Sequence, residues 1–217
     1  MTESNLQSFK TSECKASNSD DNMTSTERGF FVGSIWKPSS AQIALSGVLS
    51  ALAIAIPFVF RGTPLQIYIP AIQYSGTLAS HVPSMIAIAV GPSVAALVGL
   101  ASTVGFLATL GPVIAARAFI HVLFGVAASI FMFRGGSYVK ALFLIALPIH
   151  VLGEGLVVYS LGPMFGVTNV LPLAAGLMVS LGTAIHHIID AMISLAVYRV
   201  ARPMLLPLLP RSSSLRQ

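Results

Sequence analysis

The chain has 217 residues, of which 55% are hydrophobic and only 9% charged, with a mean hydropathy of +0.84. A soluble domain carries about 25% charged residues, so this composition excludes an ordinary one. The net charge of +5 does not point to nucleic acid either, because the basic residues flank apolar runs, which is how membrane topology is written.

The first 28 residues, MTESNLQSFKTSECKASNSDDNMTSTER, hold five of the seven acidic residues and the single cysteine, Cys14. They contain too little apolar surface to offset the entropy of ordering, and so are expected to be disordered. They lack the basic start and apolar core of a signal peptide. One cysteine allows no intrachain disulfide and leaves the redox compartment open. GFFVGSIWK, residues 29–37, is a small amphipathic patch whose Trp36 and Lys37 suit a membrane–water interface. Residues 1–38 therefore read as a cytoplasmic tail with an interfacial patch.

An apolar stretch of ~20 residues crosses the hydrocarbon core as a helix, and such stretches recur through residues 39–202. Six spans are predicted, at about 40–60, 78–91, 93–110, 113–133, 140–161 and 172–201. The second is short and contains Pro83. Between the first two, RGTPLQIYIPAIQYSGT reads as a loop rich in turn residues. Residues 203–217, PMLLPLLPRSSSLRQ, carry Pro203, Pro207 and Pro210 and are expected to be a cytoplasmic tail, irregular after its first turn. With the N-terminus inside, ten Lys and Arg residues fall on the cytoplasmic side and only Arg61 outside. The expected fold is an all-α membrane protein, six transmembrane helices in one bundle with both termini cytoplasmic. It would be a multi-pass protein of the cell membrane, surrounded by lipid.

This topology gathers polar residues at similar depth. His81 begins the second span. Arg117 and His121 lie one turn apart on the fourth, His150 and Glu154 one turn apart on the fifth, and His186, His187 and Asp190 on the sixth. An ionised side chain at mid-bilayer costs about 2.5–3.5 kcal/mol on insertion scales, so it persists only with partners or water. Two accounts stand. In one, Arg117 pairs with Glu154 and the histidines merely fix packing. In the other, the same residues line a pocket open to the outside, where Arg117 meets an anionic substrate. A metal site is a further alternative, since His150-x-x-x-Glu154 and His186-x-x-x-Asp190 each put two ligand types on one helical face, and His121 adds a third.

Catalytic signatures are missing: the chain contains no H-E-x-x-H, G-x-S-x-G, C-x-x-C or G-x-x-x-x-G-K-[ST] motif. No enzymatic activity and no resident cofactor are expected, and any uphill transport must draw on an ion gradient or on another protein. Gly47, Ala51 and Ala55 form a stripe of small residues on the first span, a surface that lets another helix approach closely in lipid. A similar stripe, Ala95, Gly99 and Thr103, is assigned to packing inside the bundle.

Six spans with both ends inside, the Gly47/Ala51/Ala55 stripe and polar residues gathered toward the outside resemble the substrate-binding S component of energy-coupling factor (ECF) vitamin transporters. The resemblance covers about residues 40–200. It is closest in SHVPSMIAIAVGPSVAALVGLASTVGFLATLGPVIAARAFIHVLFG, residues 80–125, which looks like the niacin-type members. The resemblance implies a vitamin-binding subunit that works with a transmembrane coupling subunit and two cytoplasmic ATPase subunits. Ala51 and Ala55 match the alanine pair that docks on the coupling subunit, with Gly47 one turn further. The ligand region of the family maps onto Tyr74, His81, Arg117, His121, Glu154 and His186. The rival expectation is a stand-alone secondary transporter or channel, with Glu154 or Asp190 as its coupling acid; a third is an intramembrane metalloprotein.

Overall fold

The computed structural model describes residues 36–72, 74–166 and 169–208. The tail expected to be disordered, most of the interfacial patch and residues 209–217 lie outside them. Helix α1 (Ser40–Val59) starts at a capping box in which the Ser39 hydroxyl accepts from the Gln42 amide and the Gln42 side chain accepts from the Ser39 amide. A hairpin follows, β1 (Gln66–Ile69) against β2 (Tyr74–Thr77), antiparallel with Gln66 opposite Thr77. Then come α2 (Val82–Val90), α3 (Pro92–Leu110), α4 (Pro112–Phe133), α5 (Tyr138–Phe165) and α6 (Pro172–Leu205).

Five of these helices, α1, α3, α4, α5 and α6, are long and apolar enough to cross a membrane. The second expected span differs. It is a nine-residue helix, α2, about 13 Å long at 1.5 Å per residue, too short to cross alone. From Met85 to Val90 every residue of α2 is buried, so its apolar run reflects burial in protein rather than contact with lipid.

The segment ahead of α2 explains its shortness. Around Gly76, Tyr74 and His186 crowd the backbone, and Tyr74 also packs on Gly182. The Thr77 carbonyl accepts from His186 Nε2 at 2.8 Å, and the amides of Ala79 and His81 donate to Asp190. Contacts thus move from Gly182 to His186 to Asp190, one helical turn at each step, while the chain advances from Tyr74 to His81. Strand β2 and the turn at residues 78–81 descend along α6, occupying depth that a helix would otherwise fill. Non-helical backbone at membrane depth is tolerated only where protein satisfies it; His186 and Asp190 provide that. The loop predicted from turn residues is therefore a hairpin.

One other departure traces to proline. In α5 a π-helical stretch, Ala141–Ala146, precedes Leu147–Leu161; Pro148 has no amide to donate back four residues, and a π-bulge absorbs the defect. At the C-terminal end of the bundle, α6 continues through Pro203 to Leu205 and closes in a 3-10 turn, Leu206–Leu208.

Small residues set the closest approaches. A methyl group on Gly99 would lie 2.7 Å from the Val122 amide nitrogen, and one on Gly125 would lie 3.2 Å from Ala95 Cβ. This joins α3 to α4 along the Ala95/Gly99 stripe, the intrabundle packing expected for it. Gly155 of α5 and Gly176 of α6 face each other similarly; a methyl on Gly176 would lie 2.8 Å from the Gly155 carbonyl oxygen. By contrast Gly47, Ala51 and Ala55 all lie on the exposed face of α1, and no atom comes within 4 Å of where a Gly47 side chain would project.

Candidate functional site

The i,i+4 spacing that places Arg117 and His121 on one face of α4, and His150 and Glu154 on one face of α5, turns both faces inward. All four side chains are buried. On α6, Thr183, His187, Asp190 and Ser194 recur at helical spacing and are buried too. His81 enters from the start of α2. The result is a polar cluster inside an apolar bundle.

Glu154 sits at its centre, and its two oxygens have different company. Oε2 accepts from Arg117 Nη2 at 2.7 Å, from Arg117 Nε at 3.2 Å and from Thr183 Oγ1 at 2.6 Å. Oε1 faces His150 Nε2 at 3.3 Å and His121 Nε2 at 3.9 Å. Behind His150, its Nδ1 lies 2.9 Å from His187 Nδ1, and His187 Nε2 donates to the Leu142 carbonyl at 3.1 Å. On the far side, Asp190 accepts from the Ala79 amide (2.7 Å), the His81 amide (3.0 Å) and His81 Nδ1 (3.1 Å), with His186 Nε2 also 3.1 Å away. Ala79 has φ 65, a left-handed conformation unusual for a residue with a side chain, and its amide is one that Asp190 holds.

The His81 ring stands edge-on to three others, with centroids 4.7 Å from His121, 4.6 Å from His150 and 4.6 Å from His186. Among the described residues, His121 has both ring nitrogens buried without a hydrogen-bond partner.

A cavity of about 40 Å³ reaches this cluster, room for a few water molecules. Its polar walls include Ser80, His81, Ser102, Arg117, His121 and Glu154. Four of the six binding residues expected from sequence thus border one hollow. The other two, Tyr74 and His186, are directed elsewhere: they line a larger apolar recess of about 360 Å³ between the hairpin and α6, with Ile67, Ile185 and Ile189. The Arg117 guanidinium lies 5.4 Å from the centre of the Tyr74 ring, so Tyr74 separates the two spaces. His186 is committed to the hairpin backbone. Arg117 pairs with Glu154 and also borders the cavity. From the sequence, His150 and Asp190 carry only metal-spacing or coupling readings, and His187 only a place on the sixth span. The Thr183/His187/Asp190/Ser194 periodicity was the signal that they share one inward face.

Comparison with protein-family models, with curated proteins and with solved structures finds no match to this chain.

Proposed function

We propose that this chain is a membrane-embedded solute-binding subunit of the ECF S-component kind, taking up a small anionic or aromatic vitamin such as a niacin-like acid. The observation that carries the reading is the polar cavity bordered by Arg117, His121, His81 and Glu154 inside an otherwise apolar bundle. Such a lining is expensive in lipid and marks a solute or ion path more often than packing. Arg117 supplies positive charge for a carboxylate, and exclusion of water strengthens that contact. The cavity is smaller than a vitamin, so admission requires the β1–β2 hairpin to lift from α6, with Tyr74 as the residue that moves. The exposed Gly47/Ala51/Ala55 face of α1 supports docking on a transmembrane coupling subunit, which with two ATPase subunits would drive release to the cytoplasm.

A stand-alone transporter coupled through Glu154 or Asp190 fits less well. Glu154 Oε2 accepts from Arg117 and Thr183, and Asp190 from two backbone amides, fixed donors that a coupling carboxylate would oppose each time it took up a proton. The test is binding of nicotinate and nicotinamide to purified protein by isothermal titration, with Arg117→Ala beside it. The expected result is micromolar or tighter nicotinate binding in the parent and a selective loss of the acid in the variant. Equal loss of acid and amide refutes the carboxylate role. Uptake by proteoliposomes that contain this chain alone refutes the subunit reading.

A further inference from the structure

The protons of the buried histidines can be followed from their partners. A carbonyl oxygen only accepts, so His187 Nε2, 3.1 Å from the Leu142 oxygen, carries a hydrogen. In a neutral ring its Nδ1 is then bare. His150 Nδ1, 2.9 Å away, must be the donor in that contact, which leaves His150 Nε2 bare. Yet this bare nitrogen stands 3.3 Å from Glu154 Oε1, a lone pair against a carboxylate oxygen. His81 obeys the same logic: its Nδ1 donates to Asp190 Oδ2, so its Nε2 is the bare nitrogen. His121 has neither nitrogen engaged. A neutral His121 ring carries its one hydrogen on either nitrogen and can leave the other bare, so the three rings and Glu154 Oε1 can each present a lone pair where they meet.

One nitrogen from each of His81, His121 and His150 and one oxygen of Glu154 all lie within 4.8 Å of one another. For metal–ligand bonds of 2.0–2.1 Å, the edge of a tetrahedron is about 3.4 Å. The His150–Glu154 separation of 3.3 Å and the His121–Glu154 separation of 3.9 Å are close to that edge. Three of the four ligands are oriented from behind, as metal sites need: Asp190 on His81, His187 on His150, and Arg117 with Thr183 on the far oxygen of Glu154. With neutral rings, one guanidinium faces two carboxylates among these groups, a net negative charge inside apolar surroundings.

We infer that His81, His121, His150 and Glu154 bind one divalent ion of the zinc, cobalt or nickel class, whose preference for nitrogen with a single carboxylate matches this donor set. The site borders the Arg117 cavity through His81, His121 and Glu154. It does not rest on the vitamin reading, because the ring tautomers and distances stand whatever solute the cavity takes.

The experiment uses full-length, tag-free protein in detergent, stripped with a chelator and titrated with Zn²⁺ against a competing zinc dye, and separately with Co²⁺ followed by visible absorption. One zinc ion per chain and the visible bands of tetrahedral cobalt are expected. His121→Phe is the discriminating variant. It removes two nitrogens without hydrogen-bond partners and keeps a ring beside Phe124, whose centroid is 5.5 Å from that of His121. It should therefore fold, with an unfolding temperature in the metal-free state no lower than the parent's, while zinc affinity falls by more than about 100-fold, the upper range for losing even an orienting residue. Glu154→Gln should weaken zinc as strongly. Failure of the parent to bind one equivalent, or unchanged zinc affinity in His121→Phe, overturns the inference. Nicotinate titration of the same preparations reports on the vitamin reading separately.

Discussion

Asp190 offers the sharpest test of how the turn ahead of α2 is held. Its Oδ1 accepts one amide hydrogen, from Ala79, while its Oδ2 accepts from the His81 amide and from His81 Nδ1, with His186 Nε2 3.1 Å away. Asn at this position has one acceptor where the carboxylate has two. Its oxygen can face the donors of His81 and His186 or the Ala79 amide, and its own amino group must then oppose whichever donors remain. With the oxygen toward the larger group, the Ala79 bond is lost. A hydrogen bond to a charged group contributes ≈ 1.5–3 kcal/mol, so Asp190→Asn should destabilise by about that amount. Asp190→Ala strands both backbone amides, each at about 1–3 kcal/mol for an unsatisfied buried group; together with the two imidazole contacts the loss should reach roughly 4 kcal/mol or more. Thermal unfolding in a fixed detergent, followed by tryptophan-independent scattering and by circular dichroism, ranks the three proteins. If Asp190→Asn unfolds within ~0.5 kcal/mol of the parent, the range of an ordinary surface change, then Asp190 is not what holds residues 77–81 against α6.

Other outcomes follow from the same contacts. Thr183→Val removes the 2.6 Å hydrogen bond to Glu154 Oε2 without changing volume, and should cost about 1.5–3 kcal/mol in the same unfolding assay; no loss would mean that Arg117 alone satisfies that oxygen. Gly155→Ala would bring a methyl 2.9 Å from the Gly176 carbonyl oxygen and into Ser180 Oγ, so the α5–α6 contact should loosen at about 1–3 kcal/mol; a neutral result would show that these helices stand further apart. Ala51→Leu with Ala55→Leu, on the exposed face of α1, should leave unfolding and nicotinate binding unchanged while blocking co-purification with a coupling subunit. Undiminished co-purification would remove that face as the docking surface.

Hydropathy and helix period are local properties, and they settle much of this protein. Five apolar runs are long enough to be helices of spanning length, and the i,i+4 pairs Arg117/His121 and His150/Glu154 each share a face because a helix repeats every 3.6 residues. The small-residue stripes could be found the same way, though not their directions: Ala95 and Gly99 look into the bundle while Gly47, Ala51 and Ala55 look out. What the local pattern could not convey was every pairing between distant segments. Asp190 meets Ala79 across 111 residues, His186 meets Thr77 across 109, and Arg117 meets Glu154 across 37. Those contacts turned the expected second span into a turn and a short helix, since backbone amides buried at membrane depth must find partners and two polar side chains of α6 were placed to receive the segment ahead of it. The tertiary structure also decided the division of Glu154, one oxygen accepting from Arg117 and Thr183 and the other facing His150 and His121. An acceptor's lone pairs are allotted by whichever donors packing brings within about 3 Å, and no spacing along the chain records that.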